Sequence, residues 1–247
     1  MPRTATKKSD SATIVGRLAA IIGMGGQGRA LARTLAREGV RSRTHLRRAA
    51  VLARLPREAR SRVLYSPVVR VPAATARIIA DEVVRRARVR IGGRLRHLEI
   101  IPVGSVRRGA TTVKDVDFLV VAPPASVDEA LAGIELRGAG RVTIADNYAA
   151  GGRRRSFMLR FGRRHYRSDF FVTTPAEKPY ALYHFTGPSA YNIRVRAVAK
   201  RRGWLLNQYG LFVAATREPV RGSSAVATER DLAEFIGVTY RLPADRV

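Results

Sequence analysis

Asp115 and Asp117 stand one residue apart in DVDFLVVA, an otherwise apolar run. In a strand, residues i and i+2 share a face, so the two carboxylates would sit roughly 6 to 7 Å apart on one side of a sheet. Like charges held that close in apolar surroundings drive one group to take up a proton unless a cation neutralises the pair. Asp169, in YRSDFFVT, again places one acid at the mouth of an apolar strand. Three carboxylates meeting on adjacent strands would make an all-oxygen site suited to two Mg2+ ions, which favour carboxylates together with substrate phosphates. The competing explanation is that each acid caps a turn or pairs with an arginine; a D-x-D with apolar flanks needs no such flanks for a surface ion pair.

Upstream lies Gly104-Ser105-Val106-Arg107-Arg108-Gly109, between one apolar run and the next. Glycine lets a backbone approach a phosphate, serine and adjacent backbone N–H groups donate to its oxygens, and arginine neutralises it. The segment reads as a triphosphate cradle beside a metal site.

The rest of the chain must position these groups. At 247 residues it can bury a core without disulfides, and it has no cysteine, which excludes thiolate metal sites and cysteine nucleophiles. The four histidines, His45, His97, His165 and His184, are scattered, so any metal should be held by oxygen. No apolar run approaches the roughly 20 residues that span a bilayer, and the basic N-terminus has no apolar signal core behind it; a soluble intracellular protein is expected. The formal charge of +27, from 46 Lys+Arg against 19 Asp+Glu, calls for a polyanionic partner, nucleic acid before a membrane surface. All but five of the 46 basic residues are arginine, which forks phosphate bidentately, although a coding bias would give the same count.

Residues 1–12 read as a mobile basic tail. An all-α, arginine-rich module follows over 13–92, opening as helix, Gly23-Met24-Gly25-Gly26 hairpin, helix, with helical patterns expected to continue through VVRRARVRI to Gly92. Over 93–178 the texture changes to β-type runs, LEIIPVGS, DVDFLVVA, SFMLRFG and YRSDFFVT, and 179–247 reads as a smaller α/β module whose last helix starts at the N-cap Thr228 and stops at Gly237.

In order, GSVRRG, DVDFLV, RSDFFV, YHFTGPSAYNIRVRAVAKRRGWLLNQYGLF and TERDLAEFIGVTYRLPADRV resemble the X family of DNA polymerases, within the nucleotidyltransferase superfamily, from about Ile14 to Val247; the HFTGP, NQYGLF and TYRLP segments are most like its compact viral members. The resemblance implies an α+β fold: a nucleotidyltransferase palm on a mainly antiparallel or mixed sheet, a helix-hairpin-helix module before it and a nascent-base-pair module after it. It also implies template-directed addition of dNTPs to a primer 3′-OH at short gaps in gapped or nicked double-stranded DNA, by a monomer with two Mg2+ ions, Mn2+ being able to substitute. Carried over, Asp115 and Asp117 would bind both metals and Asp169 the one near the primer 3′-OH. Gly104, Ser105 and Arg108 would hold the β- and γ-phosphates, with Arg107 supporting that loop. Phe185 and Gly187 would flank the deoxyribose, His184 would stack on the base or touch the triphosphate, Asn192 would reach the minor-groove edge of the incoming base and Arg196 the template side. Arg167 would lie against Asp169 and the primer phosphate, and Gly23, Gly25 and Gly26 would grip the DNA backbone, with a monovalent cation on nearby carbonyls. Two departures stand out: His184 where many members have tyrosine, and Pro188 where many have serine. No pocketed lysine for a lyase module is expected, Lys7 and Lys8 lying in the tail; a DNA ligase and an AP endonuclease would serve the same DNA. The alternative is a template-independent terminal nucleotidyltransferase, against which Asn192 and Arg196 count.

Overall fold

The computed structural model describes residues 4–246, the side chains of 4–11 excepted. Helix α1 (Thr4–Ile22) takes in most of the stretch read from sequence as tail, and turns through Gly23 and Met24 into α2 (Gly25–Arg37). Gly28, on the first turn of α2, lies so close to the Gly23 carbonyl that a Cβ would sit 1.6 Å from its oxygen, so only glycine lets the two helices close this tightly. Short helices α3 (Arg43–Leu46), α4 (Ala49–Arg54) and α5 (Arg57–Tyr65) complete a core built on Leu18, Ile22, Leu35, Leu46 and Val63.

Strand β1 (Val71–Pro72) and helix α6 (Ala73–Arg86) lead to β2 (Ala87–Ile91), β3 (Arg94–Arg96) and β4 (Glu99–Pro102). Here the sequence expectation fails: ARVRI is a strand, paired antiparallel with β3, and the helix stops at Arg86. Its alternation of Val or Ile with Arg has a period of two, and the β-branched residues fit a pleated surface whose inner face is buried at Ala87 and Val89.

The chain continues through α7 (Gly104–Arg107), β5 (Thr112–Val113), β6 (Phe118–Val121), α8 (Val127–Ala132), β7 (Ile134–Leu136), β8 (Val142–Gly151), β9 (Arg154–Phe161) and β10 (Arg164–Thr173). A five-stranded sheet of order β4-β6-β10-β9-β8 is mixed: β6 and β10 run parallel, and the other neighbours run antiparallel. Val116, Phe118, Val120, Phe170 and Val172 pack on one face with α6 and α8 residues such as Ile79, Val83 and Ala130. On the other face Leu119 and Val103 meet Ala181 of α9 (Lys178–Thr186), so that face is shared between α9 and the aspartates.

Beyond α9 come α10 (Ser189–Arg201), the β11 (Trp204–Asn207) and β12 (Gly210–Val213) hairpin, and α11 (Glu229–Ile236), around Tyr183, Tyr191, Leu211 and Leu232. As the sequence indicates, Thr228 caps α11, its hydroxyl accepting from Asp231 N–H, and Gly237 ends it in a left-handed conformation. No described helix is long and apolar enough to cross a membrane.

Candidate active site

Parity along β10 sets the site. Tyr166, Ser168, Phe170 and Val172 are buried toward the core, which turns Arg167, Asp169 and Phe171 to the opposite face. Asp115 and Asp117 precede β6 rather than lying inside it, since the strand begins at Phe118. They are nonetheless held as strand residues would be: Val116 N–H donates to the Arg167 carbonyl (3.1 Å), and the Asp117 carbonyl accepts from Val103 N–H (2.9 Å). The Ser168 hydroxyl adds a bond to the Val116 carbonyl at 2.6 Å.

Asp115 and Asp169 line one small cavity, and Asp117 is tied to the backbone of Asp169. Asp117 Oδ1 accepts from the backbone N–H of Asp169 at 3.0 Å. Burial, then Asp115 and Asp169, hold the Asp117 carboxyl well above the usual carboxylate range, and burial likewise raises Asp115. Compensation is thin: Arg167 stands 4.0 Å from Asp115, and Arg154, not Arg167, is the cation beside Asp169, at 3.8 Å. Arg167 is thus placed against a different aspartate from the one expected. Among the described residues no three acidic or histidine side chains converge into a ready-made metal cluster. Yet crowded, oxygen-only, under-neutralised carboxylates are the donor chemistry a hard divalent cation satisfies.

Three residues that sequence reasoning missed close this corner. Ser156 of β9 donates to Asp169 Oδ1 at 2.5 Å. Tyr148 sits in a register shift of β8, between Asn147 opposite Phe157 and Ala149 opposite Ser156, and such a bulge re-aims a side chain. With Glu58 of α5, Tyr148 lines a cavity of about 60 Å3 that also touches Asp115, Arg167 and Asp169. Glu58 carried a faint signal, as the one acid in REARSRVLY; Ser156 and Tyr148 depend on strand register, which composition does not reveal.

Beside Asp117 opens a cleft of about 530 Å3, lined by Arg108, Phe171, His184, Phe185, Gly187, Asn192 and Arg196 among others. Gly104 has a positive φ of 63°, and a Cβ there would lie 3.7 Å from Asp117 Oδ2, so the cradle's backbone abuts the carboxylate. The two arginines of GSVRRG part company. Arg108 lines the cleft and donates to the Thr186 carbonyl, whereas Arg107 turns away, donating to Thr186 Oγ1 (2.5 Å) and pairing with Glu229 (2.5 Å). Glu229, 6 % exposed, is also gripped by Arg246 at 2.9 Å, whose guanidinium lies within 5.1 Å of the Tyr183 ring centre and 5.4 Å of that of Tyr191. Ser105 is on α7, and its carbonyl accepts from Ala110 N–H.

Phe185 stacks on Phe171, ring centres 3.9 Å apart. Asn192 donates to the His184 carbonyl at 2.7 Å, and its buried Oδ1 has no hydrogen-bond partner. His184 lines the cleft with its Nδ1 accepting from Arg196 at 2.5 Å, and burial, then Arg196, push its pKa down to about 4. Burial and the neighbouring guanidinium therefore favour a neutral His184 ring near neutral pH. At the hairpin, Gly25 and Gly26 face open space, beside a cleft of about 760 Å3 that Arg29 and Arg33 also line.

Residues 181–247 match the DNA polymerase beta thumb family model. Over 150 residues the chain is 36 % identical to the Repair DNA polymerase X of African swine fever virus (isolate Tick/Malawi/Lil 20-1/1983), covering 60 % of this chain and 81 % of that one. It is 32 % identical over 163 residues to DNA polymerase lambda of Rattus norvegicus, covering 59 % and 28 %. The fold resembles the crystal structure of Leishmania infantum polymerase beta in a ternary P/T complex, with TM-score 0.69, 20 % identity, and 96 % and 99 % coverage. The relatives matched are DNA polymerases, enzymes of the nucleotidyltransferase class. The chain belongs to the X family of DNA polymerases.

Proposed function

We propose that the protein is a repair polymerase that fills short gaps in DNA, adding dNTPs to a primer 3′-OH under template direction. The observation that carries this reading is a junction: Asp117 lines the cleft in which Arg108 and Asn192 converge, and it is hydrogen-bonded to the backbone of Asp169, which lines the small adjoining cavity with Asp115. The primer oxygen attacks the α-phosphorus in line, forming the O3′–P bond while the bond to pyrophosphate breaks. Asp169 takes the hydroxyl proton at Oδ2, the oxygen that Ser156 does not bond. Arg108, with the backbone of Gly104 and Ser105, holds the β- and γ-phosphates; Arg107 braces that turn through Glu229. Phe185 and Gly187 border the sugar, and Asn192 offers its orphaned Oδ1 to the nascent pair. Asp115, Asp117 and Asp169 would hold two Mg2+ ions, which when bound stabilise charge on the attacking and leaving oxygens. Gly25 and Gly26 present backbone N–H groups at the N-terminus of α2 to a DNA phosphate, Gly23 making the turn before them with its own N–H taken by the Ala19 carbonyl, and Arg29 and Arg33 add charge.

The test is incubation with Mg2+, a one-nucleotide-gapped duplex and each dNTP singly. Addition should follow the template base, and Asp169→Ala should abolish it while leaving affinity for gapped DNA near wild type. Addition that ignores the template would identify a terminal transferase instead.

A further inference from the structure

Ser156 is a hydroxyl in a run whose next three residues, Phe157, Met158 and Leu159, are apolar and buried, and it is itself 2 % exposed. The β9–β10 register sets it directly opposite Asp169, and opposed residues of an antiparallel pair share a face. Its Oγ–H donates to Asp169 Oδ1 at 2.5 Å. The other group near that carboxylate, Arg154, stands 3.8 Å from Oδ2 and is 48 % exposed, so it is loosely held and screened by solvent. The aspartate's terminal torsion is intrinsically broad and roughly two-fold. A buried donor fixed to one oxygen selects one orientation, and the cavity shared with Asp115, Tyr148 and Arg167 lies on that same side of the sheet.

We infer that Ser156 is a positioning residue for nucleotidyl transfer: by anchoring Oδ1 it keeps Oδ2 of Asp169 turned to the primer terminus, an inference that rests on Asp169 serving the 3′-OH. Because the backbone N–H of Asp169 also anchors Asp117, the hydroxyl steadies the carboxylate pair and not one side chain alone. Misplacement of a reacting group by about 1 Å costs up to ~100-fold in rate, and loss of one orienting bond on a correctly placed backbone should cost less, about tenfold.

The experiment compares wild type, Ser156→Ala, Ser156→Thr and Asp169→Ala in single-turnover filling of a one-nucleotide gap, with gapped-DNA affinity, Mn2+ affinity by electron paramagnetic resonance and melting temperature measured alongside. Ser156→Ala should lower the maximal rate about tenfold and weaken Mn2+ binding, while the half-saturating dNTP concentration and DNA affinity stay within about twofold. Ser156→Thr, which keeps a hydroxyl on a strand-favouring residue, should recover most of the rate. The inference is overturned if Ser156→Ala is as fast as wild type while Asp169→Ala is inactive, if the threonine variant is as slow as the alanine one, or if rate, affinities and melting temperature fall together. Should Asp169→Ala keep the rate, the assignment of Asp169 itself fails, and the role of Ser156 with it.

Discussion

Two acidic centres in this molecule are built on opposite principles. Around Asp117, three carboxylates crowd together with one arginine 4.0 Å away and another 3.8 Å away; at Glu229, one carboxylate is clasped by two arginines at 2.5 and 2.9 Å. The first is short of positive charge and the second is saturated with it. A chain with 46 basic residues does not lack arginines to place beside Asp117. On the proposed function, leaving these acids under-neutralised would suit them to cations that arrive with the substrate, whereas the clasp on Glu229 fastens the GSVRRG turn to α11 and to Arg246.

The largest test of the contrast is Asp117→Asn. Nucleotide addition should fall by about 10³-fold or more, the scale on which charge stabilisation at a reacting centre is lost. The melting temperature should hold or rise, because removing one of several repelling, buried charges relieves the fold; a fall of several degrees would mean that the centre is already neutralised from within. Glu229→Gln should behave in the reverse sense. Breaking a buried pair strands a charge, here Arg246, at a cost of about 3–5 kcal/mol, seen as a lower midpoint in denaturant, and the affinity for dNTP should weaken as Arg107 loses its brace. A variant as stable as wild type would dissolve the distinction.

His184 gives a smaller effect with a definite sign. Its folded pKa of about 4 lies below the ordinary 6.5, so the fold favours the neutral ring. That contribution is complete above pH 6.5 and is lost as pH falls toward 4, where the unfolded chain takes up the proton first. Thermal melting at pH 7 and pH 5 should therefore show wild type losing more stability than His184→Phe, and dNTP affinity should stay flat between pH 6 and 8. The smallest effect belongs to Arg29→Ala: if this side chain meets one phosphate, the log–log salt dependence of DNA binding should flatten by about 0.9, and an unchanged slope would remove Arg29 from the interface.

Sequence made the aspartates visible because their apolar flanks fix strand parity, and parity fixes the face. It also located the hairpin, the caps of α11 and the mixed α+β character. What it missed depends on partners chosen across the sheet. Ser156 acquires meaning only from its register with Asp169, and Tyr148 only from a bulge. Arg107 and Arg108 look alike in GSVRRG, yet consecutive residues on a helical turn point about 100° apart, and nothing local says which one meets the cleft. ARVRI was misread because its arginines continued the texture of α6 while its period had already changed from that of a helix to that of a strand.

The parallel pairing of β6 with β10, in register Phe118 with Phe170, has a consequence for how the protein comes into being. Asp117 and Asp169 become neighbours only once a loop of about 50 residues has closed, at an entropic cost of roughly 3.5 kcal/mol plus a constant. The hairpins β8–β9 and β9–β10 need far shorter closures, so non-local pairing of this kind sets the slow end of folding. A nascent or partly unfolded chain can therefore hold its basic N-terminal helices and its antiparallel hairpins before Asp117 and Asp169 meet, and on the proposed function refolding followed by nucleotide addition should lag refolding followed by DNA binding.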